Sequence, residues 1–208
     1  MNKIIQVAPT EQYFVITWKI GLRCNYDCMY CSPEYHNNTD GYHDLKTLQN
    51  VWCNMHGKTA EKSLKYKIAF TGGEPTVNKS FLPFVKWIRE NYNQNIGKIL
   101  VTTNGSANLS YYKKLYKYVD NISFSVHSEH INEEKFFSMV QALKNSINES
   151  KFLHVNVMNE FWNTSRIEKY KDFLTKNQIS FTVNEIDYAH QTRTIPIFKG
   201  KLNIEQLQ

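Results

Sequence analysis

The sequence predicts an α/β fold, a partial (β/α)6 TIM-like open barrel with parallel strands. Three observations carry this expectation. Six short runs rich in Val, Ile, Phe, Tyr and Thr alternate with longer helical patterns. The alternation is unbroken, so each helix can supply the crossover between two parallel strands. The Gly-rich and polar residues fall just after the runs, where α/β folds bind ligands. Six strands are too few for the closed eight-stranded barrel. They suit an open partial barrel, with a doubly wound sheet as the other arrangement.

The β-like runs are 13–20, 66–73, 98–105, 121–128, 152–158 and 180–187. A helix is predicted over 44–56, where Leu45, Leu48, Val51, Trp52 and Met55 recur at three-to-four spacing. The next covers 80–91 and carries Phe81, Phe84, Val85 and Ile88. A third covers 109–119. A fourth, over 132–148, puts Phe136, Val140, Leu143 and Ile147 on one stripe. The last covers 165–176, with Thr164 or Ser165 as its N-cap.

The 208 residues are 41% hydrophobic and 21% charged, enough for a packed core and against wholesale disorder. With no repeat or linker, one domain is expected over 1–208, its core at 13–187 and a short tail at 188–208. No apolar run reaches the roughly 18–20 residues of a membrane span. The first residues are too polar for a signal peptide, so the expected location is the cytoplasm. The net charge of +6 permits an anionic partner, nucleic acid included. The lysines are scattered, which is the pattern of a solvated basic surface.

Three of the four cysteines, Cys24, Cys28 and Cys31, follow the first run with C-x3-C-x2-C spacing. Clustered thiols in a cytosolic chain read as metal or redox chemistry rather than a disulfide framework. Three thiolates on one loop can each bind one iron of a cubane cluster and leave the fourth iron open. A zinc site would need a fourth ligand, for which Cys53 or His36 is available. Cys53 lies within a helical pattern and is expected to be a buried, inert thiol.

CNYDCMYC resembles the cluster motif of the radical S-adenosylmethionine (radical SAM) superfamily, with Tyr30 at its aromatic position. Gly72-Gly73-Glu74 resembles the family's GGE motif, and Thr102-Thr103-Asn104-Gly105 its frequent TNG sequence. The resemblance covers about residues 13–187. It implies a 4Fe–4S cluster on Cys24, Cys28 and Cys31, with SAM chelated at the open iron. Reduction would cleave SAM to a 5′-deoxyadenosyl radical that takes hydrogen from a substrate. Tyr30, Gly72, Gly73, Glu74, Thr103 and Asn104 are the implied cofactor contacts, with the methionyl amine at the GGE turn. Gly73 is expected where backbone approaches SAM closely. An electron donor such as flavodoxin or ferredoxin is implied as partner. Arg23 and Lys19 flank the cysteines and are suited to offset cluster charge.

Period-two alternation puts Ser123, Ser125 and His127 on one face of the fourth strand, and His154 and Asn156 on one face of the fifth. In a barrel wrapped by helices, that polar face points into the lumen. The resemblance makes Ser125 and Asn156 candidates for ribose and carboxylate contacts of SAM. His127, Glu129 and His130 follow the fourth strand, and His127 and Glu129 are expected to face substrate as positioning or proton-transfer groups. The substrate is open, and a peptide, a protein or a nucleotide-like molecule all suit an uncovered barrel. The contrasting reading is a non-catalytic zinc or iron–sulfur module. Within the superfamily, a glycyl-radical activase or a deazaguanine-type synthase is of similar size.

The triplet makes a direct prediction. Anaerobically reconstituted protein should hold about four irons per chain by metal analysis. Cys24→Ala, Cys28→Ala and Cys31→Ala should each lose the cluster, whereas Cys53→Ala should keep it.

Overall fold

The computed structural model describes residues 13–32, 36–59, 64–160 and 164–186. Six strands form one sheet: β1 (Tyr13–Lys19), β2 (Lys65–Thr71), β3 (Ile96–Thr103), β4 (Asn121–Val126), β5 (Phe152–Asn159) and β6 (Ser180–Glu185). They pair in sequence order, and every pairing is parallel. A doubly wound sheet reverses its strand order partway, and this one does not. The open partial barrel is therefore the observed architecture. The crossovers are α1 (Leu45–Thr59), α2 (Phe81–Tyr92), α3 (Leu109–Leu115), α4 (Glu133–Lys144) and α5 (Thr164–Lys176). Short 3-10 turns precede and follow α2. No helix among the described residues is long and apolar enough to cross a membrane.

Crossovers of one hand along a sheet that never reverses all fall on the same side. That side carries the core. Tyr66, Ile68 and Phe70 of β2, Ile99 and Val101 of β3, and Ile122, Phe124 and Val126 of β4 are buried there against the helices. The opposite, concave face alternates with them and is polar. The period-two reading of β4 and β5 is the observed one.

Element boundaries differ where turn chemistry takes over. β2 and β3 end at Thr71 and Thr103, because the glycines that follow turn the chain. Helix α3 stops at Leu115, after which tighter hydrogen bonds such as Lys117 N–H to the Lys114 carbonyl close the turn. Helix α4 stops at Lys144, although Ile147 still packs on the core from the next turn. Asp44, Asn108 and Asn132 cap α1, α3 and α4 by accepting from Thr47, Tyr111 and Lys135 N–H. Helix α5 begins at Thr164, and residues 161–163 before it lie outside the described residues, as does the expected tail 188–208.

Phe124 sits at the centre of this layer, fully buried, with its ring 4.9 Å from Tyr112 and 6.3 Å from Phe136. Phe124→Ala is expected to cost about 3–5 kcal/mol in chemical denaturation, the usual loss for a buried Phe.

Candidate active site

The cysteine loop after β1 has no helix or strand of its own, so its shape is set by what it leans on. Gly73 N–H donates to the Gly21 carbonyl and Glu74 N–H to the Arg23 carbonyl, both at 2.9 Å. The glycines allow this. Gly72 has φ +131°, and a Cβ there would overlap the Gly21 carbonyl. A Cβ on Gly73 would overlap the backbone of Leu22 and Arg23, immediately before Cys24. The close approach expected at Gly73 is thus made by the cysteine loop itself.

Glu74 holds this turn from behind. Its carboxylate is buried and accepts from Thr76 N–H (2.9 Å), Thr76 hydroxyl (2.6 Å), Thr103 hydroxyl (2.7 Å) and Asn104 N–H (2.6 Å). Burial pushes its carboxyl up, and these four donors pull it back. The side chain ties the end of β2 to the end of β3 instead of facing a ligand. Asn104 extends the tie by donating to Asn25 (3.0 Å) and to the Cys24 sulfur (3.8 Å).

A second anchor lies across the barrel. Tyr30 is buried, and its hydroxyl donates to Glu160 at 3.0 Å. The same hydroxyl lies 2.8 Å from His127 Nδ1, and the two rings stack with centroids 5.9 Å apart. With its one proton given to Glu160, the Tyr30 oxygen can only accept from His127. This assigns the imidazole proton to Nδ1 and leaves Nε2 as an acceptor. Burial and the neighbouring His130 push the His127 imidazole down to about 4. Glu160 also accepts from the N–H and hydroxyl of Ser128.

These contacts enclose a cavity of about 230 Å³ at the C-terminal ends of the strands. Cys24, Cys28 and Cys31 line it, together with Tyr30, Gly72 and Gly73. Thr103, Asn104, Ser125 and His127 complete the set of expected residues found there. Three expected residues are not on its wall. Glu74 lies behind it. Glu129 accepts from Met29 N–H at 3.4 Å and so holds the cysteine loop. Asn156 is the register partner of Ser125 and accepts from Thr182 on the concave face below. His127, expected toward substrate, instead shares the cavity with the thiols. A larger cavity of about 760 Å³, between the start of α3 and α4, shares the Tyr26 wall.

Further residues of the site were not evident from the sequence. Glu160 lies just past the 152–158 run, and a lone carboxylate at a strand's C-terminal end was the available signal. Met158 lines the cavity from a concave position. Of the Thr102–Thr103 pair that ends β3, both line the cavity, and Thr103 is buried with its hydroxyl on Glu74 and Tyr112. Arg23 is turned outward, donating to the Asp40 carbonyl and lying over the Tyr42 ring. Cys53, expected to be buried, is exposed on α1 beside Tyr92 and so stands apart from the triplet.

The donor set fits an iron–sulfur cluster. The three cysteines are free thiols around one cavity. Burial pushes all three thiols up; Glu74 raises Cys24 further, Glu129 and the other two thiols raise Cys28, and Cys24 and Asp27 raise Cys31. Three thiolates there call for a cationic partner. Among the described residues, no three His, Cys, Asp or Glu side chains converge on a single-ion site. A cubane needs no such convergence, since each thiolate takes its own iron. His36 Nε2 is buried without a hydrogen-bond partner, and this residue lines the same cavity.

Residues 18–155 match the Radical SAM superfamily. Curated relatives include GTP 3′,8-cyclase of Photorhabdus laumondii, 32% identical over 105 residues, which are 50% of this chain and 31% of the relative. GTP 3′,8-cyclase of Haemophilus ducreyi is 37% identical over 99 residues, 46% of this chain and 27% of the relative. The matches span less than a third of these relatives' own length. Among solved structures, Streptococcus suis SuiB bound to precursor peptide SuiA aligns with TM-score 0.65 and 15% identity. That alignment covers 87% of this chain and 42% of SuiB, a likeness of fold.

Two measurements test this geometry. Gly73→Val should displace the cysteine loop, so that iron content and SAM binding fall together. His127 is neutral in the folded state down to about pH 4, whereas an unfolded histidine takes up its proton near 6.5. Protonation of the unfolded chain therefore withdraws stability as pH falls from about 6.5 to about 4. The stability of cluster-free wild type relative to His127→Gln should drop across that window by up to about 1.4 kcal/mol per pH unit.

Proposed function

The chain belongs to the radical SAM superfamily, and from that premise we propose that it is an enzyme that cleaves SAM reductively to abstract hydrogen from a substrate on its concave face. The observation that carries this reading is the single cavity shared by three thiols and the ends of β2, β3 and β4. Cys24, Cys28 and Cys31 would hold the 4Fe–4S cluster, in the cavity that the Gly72–Gly73 turn also lines. When bound, the cluster supplies the electron that splits SAM and so generates the hydrogen-abstracting radical.

The chain's own groups supply placement. The Gly72–Gly73 turn, held against the cysteine loop, lines the cavity where the methionyl end of SAM would lie. Ser125 and Asn156 offer polar contacts along adjoining strands, and Asn104 orients the Cys24 side of the loop. His127 presents Nε2 as an acceptor for a ligand N–H or O–H, because Tyr30 and Glu160 fix the proton on Nδ1. Glu129 holds the loop through Met29 N–H. At about 230 Å³ the cavity is smaller than the roughly 300–1,000 Å³ usual for such ligands, so a bound molecule reaches out along the concave face. A low-potential donor of the flavodoxin or ferredoxin kind is the proposed reductant. Relatives named for GTP favour a nucleotide-like substrate.

Anaerobic reconstitution, then reductant and SAM, should yield 5′-deoxyadenosine by mass spectrometry. Cluster formation without SAM cleavage would support a non-catalytic metal-binding module instead. His127→Ala should lower 5′-deoxyadenosine formation about 10- to 100-fold with no substrate present. An unchanged rate, with the variant folded, would return His127 to the substrate side.

A further inference from the structure

The concave face is charged on one side only. Lys19 on β1, Lys65 and Lys67 on β2, and Lys98 on β3 occupy positions that alternate with the helix-facing residues. On β4, β5 and β6 the same face carries Asn, Ser, His, Met and Thr side chains and the exposed Phe152. No position on this face of the six strands is Asp or Glu.

Lys67 and Lys98 are direct register partners on neighbouring strands. Like charges placed opposite one another weaken a sheet. Neither lysine forms an ion pair among the described residues. Among the described strand positions of this face no acidic side chain offsets the repulsion. A local rule broken without structural compensation marks a functional position. An anion bridging the two ammonium groups would turn the repulsion into attraction, and the concave walls would strengthen it.

We propose that Lys67 and Lys98 bind the oxyanionic end of the substrate, a phosphoryl or carboxylate group, while Lys19 on β1 stands in register with the cavity-lining Thr71. This rests on the radical SAM reading, which places the reacting carbon at the cavity. Thr71 lines that cavity, and Lys67 precedes it by four residues on β2. At about 3.3 Å per residue the two lie roughly 13 Å apart along the strand. The flexible lysine stem shortens that span. The substrate is then elongated, with its anionic group roughly 10 Å from the carbon that loses hydrogen. Between the lysines and the cavity the concave positions are Ala69 on β2 and Leu100 on β3, register partners, so the middle of the substrate would pass an uncharged stretch.

The test is calorimetric titration of anaerobically reconstituted protein with pyrophosphate and, separately, citrate, at about 50 and about 300 mM salt. Lys67→Gln and Lys98→Gln are compared with wild type and with Lys113→Gln/Lys117→Gln, two exposed lysines on the helix side. The expected result is at least about tenfold weaker oxyanion binding in either concave variant, with the control unchanged. The thermal midpoints of Lys67→Gln and Lys98→Gln should not fall, because repulsion is relieved. Preference for pyrophosphate assigns a phosphoryl substrate, and preference for citrate a carboxylate. Equal binding in both concave variants, or an equal loss in the control, overturns the proposal. The same samples report the SAM-dependent change in the reduced-cluster resonance spectrum. If that change persists while oxyanions do not bind, the subsite fails alone. If it is absent while oxyanion binding depends on Lys67 and Lys98, the radical reading fails and the anion site stands.

Discussion

The site depends on one buried carboxylate. Glu74 gathers four donors from its own turn and from the end of β3, and so fixes where Gly72 and Gly73 lie. The cysteine loop packs closely on those two glycines and accepts hydrogen bonds from Gly73 and Glu74 N–H. A loop with no ladder of its own cannot set the spacing of three sulfurs by local propensity. It inherits that spacing from the strand ends beneath it. A carboxylate is costly to bury, and the full set of donors is what makes it tolerable. The same donors make it directional, since each one names a position on a neighbouring strand.

The far side of the loop is held by different chemistry. Tyr30, His127, Glu160 and Ser128 form a closed set of hydrogen bonds among buried groups. Low local polarity strengthens each bond and raises the cost of leaving one unmade. The set therefore specifies an imidazole tautomer as well as a position. The concave face below is built on the opposite principle. Many of its groups are half-exposed, and Lys67 and Lys98 form no ion pair among the described residues. Rigid, satisfied polarity surrounds the reacting end, while open, unsatisfied charge lies toward the other end of the strands.

Much of this was legible from the residues. The bodies of the strands follow a period of two because one face meets helices and the other does not. The triplet follows β1 and the Gly turn follows β2, and strand order brings both to one rim. The misplacements share a cause. The GGE string does not say which way its carboxylate points, because that depends on Thr103 and Asn104 on another strand. Thr102 and Thr103 look alike in sequence and both line the cavity, yet only Thr103 is buried with its hydroxyl tied to Glu74 and Tyr112. Strand ends were read too long wherever Thr, Gly and Asn continued a β-like composition into a turn. Glu160 stood just outside the run that would have drawn notice to it. A thiol within a helical pattern favours burial, but Cys53 falls on the exposed face of α1.

The sequential strand order has a consequence for the timing of assembly. Each strand pairs with its immediate predecessor, so the sheet can grow from β1 onward by local contacts. The cysteine loop emerges early, directly after β1. Its partners emerge late, since Met29 is held by Glu129, and Tyr30 by His127 and Glu160, all about a hundred residues or more further on. Until β4 and β5 have docked, the three thiols are close in sequence but have no fixed geometry. Metal delivered before that point would meet a floppy chelator open to any thiophilic ion. Metal delivered afterwards would meet a preset one. The geometry of the first residues of the site is accordingly set by contacts from the last strands.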